Sequence, residues 1–75
     1  MAYTLADLAT ADRHLREGAK RIDDLEEHIE ALKTRGMSTE LAQKALATME
    51  VTLRLMLEHK AAIVQSLQGR GLLEP

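Results

Sequence analysis

Three histidines are the residues best suited to metal binding or proton transfer: His14, His28 and His59. Carboxylate-bridged metal centres in helical bundles use a glutamate three residues before a histidine on the same helix. The residues at that spacing here are all apolar, namely Ala11, Leu25 and Met56. No HExxH motif occurs either. The histidines are therefore predicted to be structural or surface residues, and no metal ion or other cofactor is expected.

Two methionines could form a soft copper site together with one histidine. Met49, Met56 and His59 follow one another at spacings of seven and three residues. Methionines seven residues apart on an apolar helix stripe are more often core residues, because the thioether side chain adapts to irregular gaps. We therefore expect Met49 and Met56 to lie in the core rather than at a copper site.

Catalytic nucleophiles and phosphate-binding loops are also missing from the sequence pattern. Ser38 and Ser66 have no histidine–acid pair near them, and Gly69-Arg70-Gly71 does not connect a strand to a helix. A chain of 75 residues has little room for an enclosed substrate cavity. We therefore predict that the protein is not an enzyme.

The composition predicts a single all-α domain over residues 1–75 with an aliphatic core. One residue, Tyr3, is aromatic and none is cysteine, so no disulfide can form. The net charge of −2 disfavours binding to nucleic acid. A basic row on the first helix consists of Arg13, Arg16 and Lys20, but it has no aromatic residues beside it for base stacking. No apolar run approaches the roughly 20 residues of a membrane span. We expect a cytoplasmic protein, without a membrane or nucleic-acid partner.

The segments rich in helix-forming residues predict two helices of similar length. Helix 1 is predicted over about residues 4–35 and helix 2 over about 39–68, with a turn at 36–38 and a tail at 69–75. The short turn and the equal lengths favour an antiparallel hairpin. One continuous helix is the alternative.

Residues with capping preferences mark the predicted helix ends. Thr4 and Asp7 have the spacing of a capping box. Gly36 is expected to close helix 1 in the left-handed conformation. Ser38 is predicted to be the N-cap of helix 2, and Gly69 is predicted to terminate it.

Both helices carry a seven-residue apolar repeat, which predicts a coiled-coil-like seam between them. In an antiparallel hairpin, the numbers of facing residues should sum to about 73. This register places Gly18 near Met56, where a small residue would make room for a large one. Lys60 is the one charged residue of the seam, where it could fix the register or extend to water. The residues predicted to form the hairpin seam are Leu15, Gly18, Ile22, Leu25, Ile29, Met49, Leu53, Met56 and Ile63.

Helix 2 has more apolar residues than one hairpin can cover. At 100° per residue, Val51, Leu55 and Ala62 fall on the side of helix 2 opposite Leu53. Exposed apolar patches of this kind usually mark an interface. We therefore predict a small non-catalytic interaction module that self-associates, with two hairpins forming a homodimeric four-helix bundle. The alternative is a different protein that covers the same face.

Helix 1 changes from basic to acidic near its middle. The acidic half contains five carboxylates with no base between them: Asp23, Asp24, Glu26, Glu27 and Glu30. Such a run is often a solvated face. It also supports an alternative function, in which a small acidic helical inhibitor or regulator binds a basic groove on an enzyme or a nucleoprotein complex.

Several segments resemble short helical-hairpin proteins that are common in alphaproteobacteria and have no established function. The resemblance spans about residues 9–67. It is carried by Ala11-Asp12-Arg13-His14 with Gly18, by Thr39-Glu40-Leu41-Ala42, and by the segment from Leu46 to His59. It implies a helical hairpin in the bacterial cytosol, and no activity, cofactor or site residue.

Overall fold

A computed structural model describes residues 2–74 of the chain. Residues 1 and 75, the outer ends of the predicted domain and tail, lie outside the described residues. Two helices of 30 residues each, α1 at Leu5–Thr34 and α2 at Glu40–Gly69, pack against each other as a hairpin. The hairpin measures 55 × 18 × 15 Å. The prediction of an all-α fold with two long helices is confirmed, and residues 2–74 contain no strand.

The capping box at the start of α1 is present. The hydroxyl of Thr4 accepts a hydrogen bond from the Asp7 backbone N–H at 3.1 Å, and the Asp7 carboxylate accepts one from the Thr4 backbone N–H at 2.8 Å. These two bonds satisfy backbone donors that have no partner within the helix. The carboxylate also suits the positive end of the helix dipole.

Both helices end in the same left-handed glycine motif. After α1, Gly36 has φ 68° and donates to the Lys33 carbonyl at 3.0 Å, while Met37 donates to the Leu32 carbonyl at 2.9 Å. The second helix ends with Gly71 at φ 74° in the same two-bond pattern. This motif satisfies carbonyls in the last helical turn, and the positive φ favours glycine because it has no Cβ.

Two of the predicted helix ends are wrong by one or two residues. The N-cap of α2 is Thr39 rather than Ser38, although the Ser38 hydroxyl accepts a hydrogen bond from the Glu40 backbone N–H at 3.4 Å. The Thr39 hydroxyl accepts from the Gln43 side chain instead of capping a backbone N–H. At the other end, Gly69 is the last helical residue, and Gly71 supplies the left-handed conformation.

The contact between the helices is formed by the heptad positions. Of the nine residues predicted for the seam, Ile29 and Ile63 are buried, and the rest are partly buried: Leu15, Gly18, Ile22, Leu25, Met49, Leu53 and Met56. A methyl group at Gly18 would lie 3.3 Å from Leu53 Cδ1 and 3.7 Å from Met56 Sδ. Gly18 therefore lies close to α2, and its lack of a side chain allows the two helices to approach.

The best-packed part of the molecule is the open end of the hairpin. Ala11, Ile63 and Leu67 form a buried cluster, and the Tyr3, Leu8 and Leu73 side chains pack against it. The guanidinium of Arg70 also donates a hydrogen bond to the Tyr3 carbonyl, which joins the two ends of the chain. The aliphatic core is thus extended at this end by residues outside both helices.

One ion pair crosses the helix interface. The Lys60 ammonium lies 2.6 Å from the Asp12 carboxylate, and these side chains are 37% and 35% exposed. Lys60 occupies a position in the seam, and its charge is paired there with the Asp12 carboxylate. Ion pairs with this degree of exposure contribute about 0.2–1 kcal/mol, so the pair selects a register more than it stabilises the fold.

Candidate functional site

An apolar surface lies on the side of α2 that faces away from α1. Val51 is two residues from Met49 and two from Leu53, both of which are partly buried in the seam. Two residues correspond to about 200° around a helix, so Val51 lies on the opposite side from the seam. Leu55 and Ala62 follow at spacings of four and seven residues. We call Val51, Leu55 and Ala62 the outer face.

The outer face is accessible to solvent in the single chain. Val51 is 46% exposed and Leu55 is 56% exposed, and Ala62 is also exposed. Leu57 is similarly exposed at 53%, but it is two residues from Leu55 and therefore lies on a different side of the helix. The large exposed aliphatic residues within helices belong mainly to α2: Leu41, Val51, Leu55 and Leu57, against Leu5 alone in α1.

The corresponding side of α1 is charged. Residues such as Arg13, Lys20, Asp24 and Glu27 occupy it, and all are exposed. The two helices therefore have similar seams but different outward sides. The outward side of α2 also has exposed charges, at Lys44, Arg54 and Glu58, but the aliphatic outer face lies alongside them. A contact there can bury aliphatic side chains, whereas a contact on α1 would mainly take charged groups out of water, which is costly.

The five acidic residues predicted as a charged partner surface are all exposed: Asp23, Asp24, Glu26, Glu27 and Glu30. Glu30 pairs with Lys33 at 3.3 Å, and the other four make no ion pair within residues 2–74. They are spread around the outward half of α1. The arrangement concentrates negative charge without enclosing a substrate.

A cleft bordered by two histidines lies at the open end of the hairpin. His14 and His59 line one cleft of about 530 Å³ with Tyr3 and Asp7. The Tyr3 and His59 rings meet edge to face, with centroids 5.6 Å apart. The shared cleft was not predicted from the sequence, because each histidine was considered only with residues of its own helix. The predicted register contained the signal, because the numbers 14 and 59 sum to 73.

This cleft does not assemble a metal centre. No group of three or more histidine, aspartate or glutamate side chains lies close enough to bind a metal ion within residues 2–74. Met49 and Met56 line a small cavity of about 80 Å³ beside Gly18, and His59 is not part of that cavity. Met49 and Met56 are partly buried, as predicted for core residues. His28 lines a shallow surface depression with Leu25 and Met49.

No family model, curated protein or solved structure is significantly similar to this chain. The resemblance to alphaproteobacterial hairpin proteins accordingly stays a prediction. Neither helix within residues 2–74 combines the length and apolar character that crossing a bilayer requires. What distinguishes this hairpin is its surface chemistry, with an apolar outer face on α2 and a charged outward side on α1.

Proposed function

We propose that this protein is a small non-catalytic interaction module that self-associates through the outer face, giving a homodimer with four helices. The observation that carries the proposal is the exposure of Val51 and Leu55 on the side of α2 opposite the seam. The proposed setting is the cytoplasm, where a chain without cysteine has no oxidation-dependent step in its assembly.

The physical argument is the burial of aliphatic surface. Fully burying a valine or leucine side chain contributes about 1.5–3 kcal/mol. Val51 and Leu55 have roughly half of that burial still to gain, because each is about half exposed. Two copies bring four such side chains to a symmetric contact. The gross gain of about 3–6 kcal/mol only reaches the lower end of the cost of about 4–15 kcal/mol for lost translational and rotational freedom. The remaining contacts of the interface must therefore contribute, and we expect a weak dimer.

Sedimentation equilibrium on the purified chain tests this proposal. The natural chain should show a monomer–dimer equilibrium between 8.3 kDa and twice that mass. Leu55→Gln should weaken dimerisation at least tenfold. Leu57→Gln is the matched control, since Leu57 is equally exposed but lies on another side of α2. Glutamine and leucine have similar helix propensities, so neither substitution should disturb the helix itself.

A natural chain that stays monomeric at millimolar concentration would exclude self-association. Equal effects of Leu55→Gln and Leu57→Gln would show that the contact does not use the outer face. In either case, circular dichroism of the variants would establish that the helices remain formed.

A second function is favoured by the acidic run of α1, in which Asp23, Asp24, Glu26 and Glu27 make no ion pair within residues 2–74. In this alternative, the chain is an acidic regulator that binds a basic groove on a larger enzyme or nucleoprotein complex. Such binding depends on long-range attraction and should be lost as salt rises above about 0.15 M. A partner that is retained by the natural chain at low salt, and lost with Glu26→Gln/Glu27→Gln, would support it. Apolar self-association should persist under the same conditions.

A further inference from the structure

The amino-acid sequence of α2 has complementary charges on either side of Val51. Lys44 lies seven residues before Val51, and Glu58 lies seven residues after it. Seven residues are almost two helical turns, so these three residues share one stripe, with the charges about 10.5 Å from Val51 in opposite directions. This stripe thus has a cation towards one end, Val51 at its centre, and an anion towards the other end, and the exposed Arg54 lies beside it, three residues after Val51.

We infer that a second copy of this chain covers the outer face with its α2 antiparallel to the first, and with the two-fold axis passing Val51. This inference rests on the self-association proposed above and adds its orientation. Lys44 of each copy then lies at the height of Glu58 of the other copy, which joins opposite charges at both ends of the contact. A parallel arrangement places Lys44 beside Lys44 and Glu58 beside Glu58, which is repulsive.

Both charged groups are available for this contact. Glu58 makes no ion pair in the described part of the chain, residues 2–74. Lys44 lies 3.4 Å from Glu40 of its own helix, and these two side chains are 71% and 74% exposed. Exposed pairs one helical turn apart are weak, so Lys44 can reach a second carboxylate at little cost.

The apolar side chains also fit an antiparallel contact. Leu55 lies about 6 Å from Val51 along the helix, which is the height of Ala47 of the second copy. Lys44, Ala47, Thr48 and Val51 have the spacing of the four-residue hole that receives one side chain in coiled-coil packing. Ala47 and Thr48 are small, so the hole has room for Leu55 of the other copy.

The hairpin has enough surface to form such a dimer. It exposes 5689 Å², whereas a compact monomer of this mass exposes about 4,600 Å². A stable interface takes about 800 Å² from each partner. The excess of about 1,100 Å² belongs to the whole elongated hairpin and is similar in size to the area that such an interface buries. An antiparallel dimer through the outer face produces the helix order α1–α2–α2–α1 in one layer, in place of the four-helix bundle expected from the sequence.

Single cysteine variants test the orientation, because the natural chain has no cysteine. Helices packed 8–10 Å apart bring facing Cα atoms to about 4–5 Å, which suits a disulfide. Under mild oxidation, Val51→Cys should form a covalent dimer. Lys44→Cys and Glu58→Cys should not cross-link separately, since their copies lie about 21 Å apart along the helix. A one-to-one mixture of these two variants should cross-link.

Charge reversal provides a second measurement on the reduced protein. Lys44→Glu should raise the dimer dissociation constant about tenfold. At each of the two ends of the contact, it places a second carboxylate beside Glu58 of the other copy, and the two repel each other. Adding Glu58→Lys to the same chain should restore the constant to within about threefold. Lys33→Glu is the control. Like Lys44→Glu, it replaces a lysine by a glutamate and removes an exposed ion pair within one helix, in this case the pair with Glu30.

The outcomes separate this inference from the proposed function. Self-cross-linking of Lys44→Cys and of Glu58→Cys, with no gain on mixing, would establish a parallel dimer and overturn the orientation. A dimer in sedimentation that shows neither cross-link pattern nor rescue by Glu58→Lys would also overturn it, while self-association stands. A monomer at all concentrations would overturn both.

Discussion

Substitution of Gly18 by alanine tests the register of the hairpin directly. Glycine within a helix costs about 1 kcal/mol relative to alanine, so Gly18→Ala should stabilise α1 if the position faces water. In the structure, however, the added methyl carbon lies 3.3 Å from Leu53 Cδ1. That distance is shorter than the 3.5–4.0 Å at which two carbon atoms attract most strongly. The gain in helix propensity is therefore opposed by crowding against α2.

The two effects are of similar size. Overpacking a well-filled core costs about 1–3 kcal/mol, and the low end applies where a neighbour can move. Leu53 has such freedom, because the cavity of about 80 Å³ beside Gly18 also borders its side chain. We expect Gly18→Ala to change the free energy of unfolding by less than about 0.5 kcal/mol. In a Leu53→Val background, which removes the crowding atom, the same substitution should stabilise by about 1 kcal/mol.

Urea denaturation followed by helical circular dichroism, at one fixed protein concentration, gives the four free energies of this cycle. Gly69→Ala is the control, because no atom lies within 4 Å of a methyl group at that position. It should stabilise modestly in either background. Gly18→Ala could instead stabilise the natural chain by the full value of about 1 kcal/mol, with no coupling to Leu53. Gly18 would then not contact α2, and the register that places it beside Leu53 would be wrong.

Two further experiments test the turn and the seam. Gly36→Ala should destabilise the protein by about 1 kcal/mol, because the position has φ 68° and a Cβ is disfavoured there; thermal unfolding should shift by about 4–8 °C, and an unchanged midpoint would exclude the left-handed closure. Removal of Asp12 and Lys60 to alanine, singly and together, should give a coupling energy of about 0.2–1 kcal/mol that decreases with salt. A coupling above 2 kcal/mol would mean that this pair is shielded from solvent more than its exposure indicates.

Features set by local sequence were predictable. The capping box at Thr4 and Asp7 depends on two residues three apart, and the closure at Gly36 depends on one residue after an apolar repeat. The heptad pattern places the seam residues because side-chain direction follows helical periodicity. These features require no knowledge of the partner helix.

Features set by small differences between neighbouring positions were not predictable. Ser38 and Thr39 are both good N-caps, and the turn geometry after Gly36 decides which one begins α2. Gly69 and Gly71 are both able to close a helix. Gly71 adopts the left-handed conformation, and the Leu72 backbone N–H then donates to the Leu67 carbonyl. In each case two residues of similar propensity competed, so sequence alone could not rank them.

The approach of His14 to His59 is a different case, because it depends on pairing two distant segments. A shift of one heptad in the register would separate these residues by about 10 Å. The pairing of Lys60 with Asp12 and the contact of Gly18 with Leu53 both belong to the register that brings the histidines together. Applying the predicted register to every polar residue, rather than to the seam alone, would have found the cleft.

The unequal outward sides of the two helices explain why association should proceed through α2. A domain of about 75 residues rarely obtains more than about 3–5 kcal/mol from its core. Within residues 2–74, only Ala11, Ile29, Ile63 and Leu67 are buried. Additional stability must come from surface that is still exposed. On α1 that surface consists mainly of charges already well solvated, whereas on α2 it includes the aliphatic side chains of Val51 and Leu55. In the proposed dimer, burial of Val51 and Leu55 against a second copy stabilises the fold and forms the interface by the same contact.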